Sequence, residues 1–125
     1  MAFLLDTHAF LWWLADDSRL PEGVRDLITA PENDVFVSAV TGWEISIKKT
    51  LDKLEAPDDL VSLFEEEGFQ EIPVTFAHGQ IAGQLPPIHR DPFDRMLVAQ
   101  GLTQGLTVLT RDDNIPRYAV RTFWE

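Results

Sequence analysis

The chain has 125 residues, a formal net charge of −11 at pH 7 and no cysteine. A single domain of this length can bury enough surface for its own core, and the lack of cysteine excludes disulfides, thiolate zinc sites and a cysteine nucleophile. The acidic charge disfavours a protein with a broad basic face for nucleic acid. It suits a site for a divalent cation, or a surface for a basic partner protein.

No apolar run approaches the ~18 residues that a membrane-spanning helix needs. The apolar N-terminal segment has no basic region and is interrupted by Asp6 and His8, which is not the pattern of a signal peptide. We therefore expect one globular domain over residues 1–125, without a membrane segment. A cytoplasmic location is consistent with the absence of cysteine.

Short apolar runs, separated by stretches with helical spacing, predict five strands. These strands fall at residues 3–5, 35–37, 69–74, 106–109 and 120–124. Helices are predicted at residues 9–15, from Pro21, at 40–51, from Asp58 or Asp59 to Gly68, at 76–85, and from Asp91 to Gly101 or Gly105. This alternation predicts an α/β fold with a mainly parallel sheet of about five strands and helices on both faces. Functional groups in such folds gather at the carboxyl ends of strands, near a topological switch point.

Four carboxylates are placed where they could share that edge of the sheet. Asp6 follows the first strand and Asp112 follows the fourth, while Glu44 and Asp94 lie early on two helices. Two carboxylates ~4 Å apart repel by about 4 kcal/mol at an effective dielectric of 20, so convergence needs a counter-charge. Oxygen ligands favour Mg²⁺ or Mn²⁺ over zinc, and such an ion can activate water for phosphodiester hydrolysis.

Each of these acids also has a purely structural interpretation. Asp6 could cap the following helix, and Asp94 is favoured near a helix N-terminus by the helix dipole. Glu44 could be a solvated residue in an ion pair, and Asp112 could begin a turn. We assign Asp91 mainly to capping. Spacing alone leaves both interpretations of the four acids open.

Four segments of the sequence resemble the PIN-domain family, and specifically its VapC-like toxins. In chain order they are LLDTHAFLWWL, SAVTGWEISIKKTLDKL, RDPFDRMLVAQ and LTVLTRD. The acidic positions of the family correspond to Asp6, Glu44, Asp94 and Asp112, although the neighbouring Asp113 leaves the last assignment open by one residue.

The resemblance implies a three-layer PIN-like fold and an endoribonuclease that depends on Mg²⁺ or Mn²⁺. It also implies RNA products with 3′-hydroxyl and 5′-phosphate ends, a homodimer, and a small antitoxin protein as partner. Thr7 and Thr110 match hydroxyl positions that support the acidic pocket in relatives. Asp52 stands where many relatives have glycine, so the end of that helix is expected to differ.

Half of the ten Lys and Arg residues lie near the proposed acids in sequence: Lys48, Lys49, Arg90, Arg95 and Arg111. We predict that Lys48, Arg95 and Arg111 hold RNA phosphates. The alternative is that they only balance the neighbouring negative charge.

The aromatic and imidazole side chains give weaker signals. Trp12 and Trp13 are adjacent, so one is predicted to join the core, while the other meets a dimer mate or antitoxin, or packs at an edge. His8 is predicted to make a local hydrogen bond. His78 and His89 show no metal-ligand spacing and receive no role.

Other functions were weighed against the nuclease. A receiver domain resembles this length and acidity, but it needs a phosphoacceptor Asp after the third strand, where Pro73, Val74 and Thr75 stand. A haloacid-dehalogenase-like phosphatase needs a second acid at the position of His8. A PIN fold that binds without cleaving, and a DNA-cleaving relative, remain open alternatives.

Overall fold

Five strands and six helices make up the chain, described here from a computed structural model that covers residues 1–125. The strands are β1 (Ala2–Leu5), β2 (Asp34–Ser38), β3 (Gln70–Ile72), β4 (Thr107–Leu109) and β5 (Thr122–Phe123). The helices are α1 (Thr7–Leu14), α2 (Glu22–Thr29), α3 (Ala39–Thr50), α4 (Leu60–Glu67), α5 (Phe76–Gln84) and α6 (Pro92–Gln104). A short 3₁₀ helix covers Ile115–Arg117. Every predicted element is present, although β3, β4 and β5 are shorter than predicted.

The sheet has the order β3-β2-β1-β4-β5, and all of its strand pairs are parallel. The chain therefore moves outward from β1 through β2 to β3, and then returns to the other side of β1 for β4. This reversal makes the boundary between β1 and β4 the topological switch point. The carboxyl ends of these two strands lie side by side there, with the backbone N–H of Asp6 donating to the carbonyl of Leu109 at 3.2 Å.

Apolar side chains of β1 point alternately to the two faces of the sheet, and a core lies on each face. Phe3 and Leu5 belong to one buried cluster, with residues of α1 and α2. Leu4 belongs to the other cluster, with residues of α6. Each fully buried apolar side chain of this size contributes about 1.5–3 kcal/mol to stability. The predicted three-layer α/β arrangement, with helices on both faces, is confirmed.

Capping side chains fix where the two helices nearest the switch point begin. Asp6 is the N-cap of α1, and its Oδ1 accepts a hydrogen bond from the backbone N–H of Ala9 at 2.8 Å. Asp91 is the N-cap of α6 and accepts from the N–H groups of Phe93 and Asp94. The predicted capping role of Asp91 is confirmed. The capping role of Asp6 is present as well, so α1 starts directly at the end of β1.

The backbone after the end of α3 adopts a conformation that favours glycine, although an aspartate stands there. Asp52 has a φ of 55°, in the left-handed region that glycine adopts without steric cost. Asp tolerates this conformation better than most residues, so the helix still ends at this point. Across the whole chain, no helix combines the length and the apolar character required to span a bilayer.

Candidate active site

A cavity of about 410 Å³ opens at the carboxyl ends of β1 and β4. Five carboxylates from four segments of the chain line it: Asp6, Glu44, Asp91, Asp94 and Asp112. The structure thus brings together all four acids that the sequence placed at a common edge, and adds the helix-capping Asp91. So many carboxylates in one cavity create a strong negative potential, which favours binding of a cation.

Asp6 is buried at the end of β1, with only 6% of its surface exposed. Its Oδ2 accepts a hydrogen bond from the hydroxyl of Thr110 at 2.5 Å, while its Oδ1 caps α1. Burial raises the pKa of Asp6 to about 6, although the two hydrogen bonds act in the opposite direction. The charges of Asp112 and Glu44 raise it further. Asp6 is therefore held in one orientation by both strand ends of the switch point.

Glu44 reaches the cavity from the first half of α3 and is 4% exposed. Its Oε1 accepts from the hydroxyl of Thr7, and its Oε2 forms an ion pair with Lys48 one turn along the helix, both at 2.5 Å. Partial burial lowers the pKa of Lys48, but the hydrogen bond and charge of Glu44 outweigh it and raise the pKa above its usual value. The ion pair expected for a solvated Glu44 exists, yet the carboxylate is buried and faces the cavity.

Asp94 and Asp112 face each other with His89 beside them. The Nε2 of His89 lies 2.9 Å from Oδ2 of Asp94. Burial, followed by the charge of the neighbouring Asp91, raises the pKa of Asp94 to about 6. Asp112 uses Oδ1 to accept from the N–H groups of Asn114 and Ile115. The turn interpretation of Asp112 is therefore also present, and its second carboxylate oxygen makes no hydrogen bond within the protein.

The chemistry of this cluster fits a divalent cation. His89, Asp94 and Asp112 each offer one ligand atom, and these three atoms lie within 4.8 Å of one another. Carboxylate oxygens suit Mg²⁺ and Mn²⁺, while an imidazole nitrogen is better suited to Mn²⁺ than to Mg²⁺. Asp6 and Glu44 line the same cavity but lie outside this group of three.

The two threonines identified from the resemblance support the two buried acids. Thr7 donates to Glu44, and Thr110 donates to Asp6 while accepting from the backbone N–H of Asp112 at 2.9 Å. The hydroxyl of Thr110 thus connects two carboxylates of the cavity. Sequence analysis missed Thr41, which is fully buried and lies 3.4 Å from the hydroxyl of Thr7.

The neighbouring acid Asp113 is exposed and does not line the cavity. Asp112 is therefore the residue of this pair that lies with the other acids. Its position in the turn after β4 follows from the hydrogen bonds that Thr110 and the 3₁₀ helix make with it.

The predicted phosphate-binding cations separate into two groups. Lys48 and Arg111 line the cavity. Arg95 does not, because its guanidinium donates to backbone carbonyls that include those of Ala82 and Leu85 and to the hydroxyl of Tyr118. Its placement differs from the predicted contact with RNA: it ties the loop before α6 to the end of α5. Arg95 directly follows Asp94 on α6, and its position in the sequence did not predict the direction of its side chain.

His89 is the main residue of the cavity that sequence analysis missed. It lies five residues before Asp94, in the loop that leads into α6, so no helical spacing links the two. The signal available in the sequence was Asp91, which marks the start of α6 and so places His89 in the loop just before that helix. The prediction for His8 was wrong: its ring is exposed, makes no hydrogen bond and lies against Trp12, with 5.5 Å between ring centroids.

Trp12 and Trp13 face different surroundings, because consecutive residues of a helix point in different directions. Trp12 lines the acidic cavity, while the Nε1–H of Trp13 donates to Glu67 and its ring packs on Phe69. Both are half-buried at the margin of the same apolar cluster. Both therefore pack against the core from its edge, the alternative stated for one of them, and neither is fully buried.

Comparison with known proteins gives relatives that match along nearly the whole chain. The ribonuclease VapC22 of Mycobacterium tuberculosis is 24% identical over 112 residues, which cover 87% of this chain and 85% of that protein. Among solved structures, VapBC2 from Rickettsia felis bound to a promoter DNA fragment matches with a TM-score of 0.73 and 14% identity over the full length of both chains.

Two further structures have the same fold. FitAcB from Neisseria gonorrhoeae matches with a TM-score of 0.66 and 22% identity, over 98% of this chain and 96% of that one. VapBC-5 from Mycobacterium tuberculosis matches with a TM-score of 0.62 and 20% identity, over 98% and 95% respectively. The family model of the PIN domain matches residues 3–121. With this match and an acidic cavity at the switch point of a parallel sheet, the chain belongs to the PIN-domain family.

Proposed function

We propose that this protein is a metal-dependent endoribonuclease that acts as the toxin of a toxin–antitoxin pair. The observation that carries the proposal is the convergence of Asp6, Glu44, Asp94 and Asp112 in one cavity of a PIN domain. The similarity to a protein named ribonuclease VapC22 supports the choice of RNA as substrate. Cleavage by an activated water molecule agrees with a cavity that contains no cysteine or serine nucleophile.

The four acids would hold Mg²⁺ or Mn²⁺, with His89, Asp94 and Asp112 providing the closest set of ligand atoms. When bound, the cation supplies the positive charge that acidifies a water molecule and stabilises the charge developing on the scissile phosphate. Asp6 contributes a carboxylate whose orientation is already fixed by Thr110 and by the start of α1.

Two cationic side chains serve the substrate in this proposal. Lys48 is held against Glu44 and directs its positive charge into the cavity. The guanidinium of Arg111 lines the cavity without a hydrogen bond or ion pair to the protein, so it is free to bind a phosphate. These cations offset the repulsion that five carboxylates exert on an RNA backbone.

We further propose a basic antitoxin segment as partner, a homodimer as the assembled state and the cytoplasm as the place of action. VapBC-5, which has the same fold, is a member of the VapBC family of toxin–antitoxin systems. The net charge of −11 favours a basic partner. Large exposed apolar side chains, including Trp43 at 62% and Phe76 at 85% exposure, are available for protein contacts.

The test is incubation of the purified protein, free of antitoxin, with total cellular RNA and Mn²⁺. We expect discrete fragments that disappear when EDTA is added or when Asp6 is replaced by asparagine. Asp113→Asn is the matched control, because this neighbouring acid is exposed outside the cavity; it should cleave like the wild type. Ligation of adaptors to the fragments should detect 5′-phosphate and 3′-hydroxyl ends.

Intact RNA in the presence of folded, inhibitor-free protein would contradict the ribonuclease proposal. Cleavage of single-stranded DNA under the same conditions would favour the DNA-cleaving alternative. Mn²⁺ binding without cleavage of either nucleic acid would favour a PIN domain that only binds its partners.

A further inference from the structure

Trp12 is the only apolar side chain that lines the acidic cavity. It lies on α1, one turn after His8, and its ring contacts those of His8 and Trp124, with centroid distances of 5.5 and 5.8 Å. The side chain is half-buried, so part of the indole remains accessible. Every base of a nucleic acid has an aromatic face, and stacking on a tryptophan is a common way to hold an unpaired base. An indole in an otherwise polar cavity is therefore a candidate surface for base stacking.

Two guanidinium groups lie close to the Trp12 ring but are held very differently. The Cζ of Arg19 is 4.7 Å from the ring centroid, and its side chain is fixed by hydrogen bonds of 3.0 and 2.8 Å to Asp17. The Cζ of Arg111 is 5.4 Å from the same centroid, and this guanidinium makes no hydrogen bond or ion pair. One cation is thus committed to the protein, and the other is available to a ligand.

Charge indicates where an RNA backbone can pass. Five carboxylates repel a phosphate from the cavity, and Lys48 is already paired with Glu44. Arg111 is then the one unpaired Lys or Arg side chain in the cavity lining. It is adjacent in sequence to Asp112, so a phosphate bound to it lies beside the acids.

We propose that Trp12 and Arg111 form a nucleotide subsite next to the cleavage position. The base of a flanking nucleotide stacks on the Trp12 indole, and its phosphate binds the Arg111 guanidinium. A base in a duplex is already stacked and paired, so the subsite holds an unpaired nucleotide. This inference rests on the proposed ribonuclease function and assigns Trp12 and Arg111 as positioning residues for its substrate.

Trp13 provides the matched comparison, because it has the same side chain at the next position of α1. Its indole N–H is bonded to Glu67 at 3.0 Å, and it does not line the cavity. Both tryptophans pack against the margin of the same apolar cluster. Replacing either one by leucine removes similar packing, but only Trp12→Leu removes the proposed stacking surface.

The experiment measures binding rather than turnover, so it remains informative if no cleavage is detected. A fluorescein-labelled 12-nucleotide RNA of mixed sequence is titrated by fluorescence anisotropy in Mn²⁺, with Asp6→Asn as the background to prevent cleavage. The same RNA annealed to its complement provides the duplex. Trp12→Leu should weaken single-strand binding about tenfold, and Trp12→Phe should recover most of it. Trp13→Leu should change it less than twofold, and duplex binding should be unaffected by all three substitutions.

Equal losses for Trp12→Leu and Trp13→Leu, or an equal loss for duplex, would overturn the subsite. Single-stranded DNA should show the same dependence on Trp12, because neither contact involves the 2′-hydroxyl; DNA binding that is insensitive to Trp12→Leu would contradict base stacking. If Trp12→Leu does not fold, crosslinking decides: 4-thiouridine in the RNA should attach to residues 8–12 of a protein with Trp12 intact. Crosslinks confined to other segments would contradict the proposal.

Discussion

The two halves of the acidic cavity differ in how many of their carboxylate oxygens are hydrogen-bonded or ion-paired to the protein. Asp6 and Glu44 are buried, and both oxygens of each carboxylate accept a hydrogen bond or ion pair from the protein. Asp94 and Asp112 are more exposed, and each has an oxygen without a hydrogen bond to the protein. Hydrogen bonds to the protein therefore orient the first pair. The second pair, together with His89, has atoms that remain able to coordinate a metal ion.

This difference predicts that substitutions in the two halves impair different properties of the protein. In the second half, which we call the open half (His89, Asp94 and Asp112), metal binding should suffer most. In the first half, which we call the ordered half (Asp6 and Glu44 with their threonines), changes should also alter the stability of the metal-free protein. The four predictions that follow test this division.

The largest effect is expected for Asp94→Asn. Loss of a charged ligand atom from the open half should reduce cleavage by about a thousandfold, since a bound cation supplies several kcal/mol of transition-state stabilisation. Mn²⁺ affinity, measured by titration calorimetry without RNA, should fall in parallel while the unfolding midpoint of the metal-free protein does not decrease. A variant that binds Mn²⁺ normally would show that Asp94 is not a ligand.

Asp6→Asn should stabilise the metal-free protein at pH 7.5. The pKa of Asp6 is about 6 in the folded protein, above its ordinary 3.8, so its ionisation penalises folding. The penalty is absent below about pH 4, grows between pH 4 and 6, and reaches on the order of 3 kcal/mol above pH 6. Asparagine removes it, while its amide can still accept from Ala9 and can donate to the Thr110 hydroxyl.

The measurement for Asp6→Asn is urea unfolding in EDTA at pH 7.5 and pH 4. A gain in stability at pH 7.5 that vanishes at pH 4 is expected. Asp113→Asn should show no gain at either pH. An equal gain at both values would mean that charge burial is not the cause.

Thr110→Val should destabilise the metal-free protein by about 1–3 kcal/mol, because it leaves a buried carboxylate and a backbone N–H without their partner. Thr110→Ser keeps the hydroxyl and should lose less stability. Urea unfolding at pH 7.5 compares the two variants. If serine and valine are equally harmful, the methyl group rather than the hydrogen bonds accounts for the loss.

The smallest effect is expected for His89→Gln, with about a tenfold loss of Mn²⁺ affinity. Nitrogen hyperfine coupling in the electron spin echo of bound Mn²⁺ should be present in the wild type and absent in the variant. His8→Gln is the control, because His8 lines the same cavity but lies outside the group of ligand atoms. Coupling that persists in His89→Gln would assign the nitrogen elsewhere.

Much of this arrangement could be predicted from the sequence because it depends on local patterns. Apolar runs marked the strands, and the parallel alternation placed Asp6 and Asp112 at one edge. Side-chain direction could not be predicted in the same way. Arg95 and Arg111 are both basic residues beside an acid, yet one is bonded to loop carbonyls and the other is free. His89 reaches Asp94 only because of the path taken by the loop before α6.

The hydrogen bond between Thr110 and Asp6 joins residues that are 104 positions apart. A chain that is still being translated presents Asp6 before the partner strand β4 has been synthesised. Until then the cavity lacks Thr110, Asp112 and the neighbouring wall of the sheet. The four acids can therefore assemble only after β4 and the turn that follows it have left the ribosome.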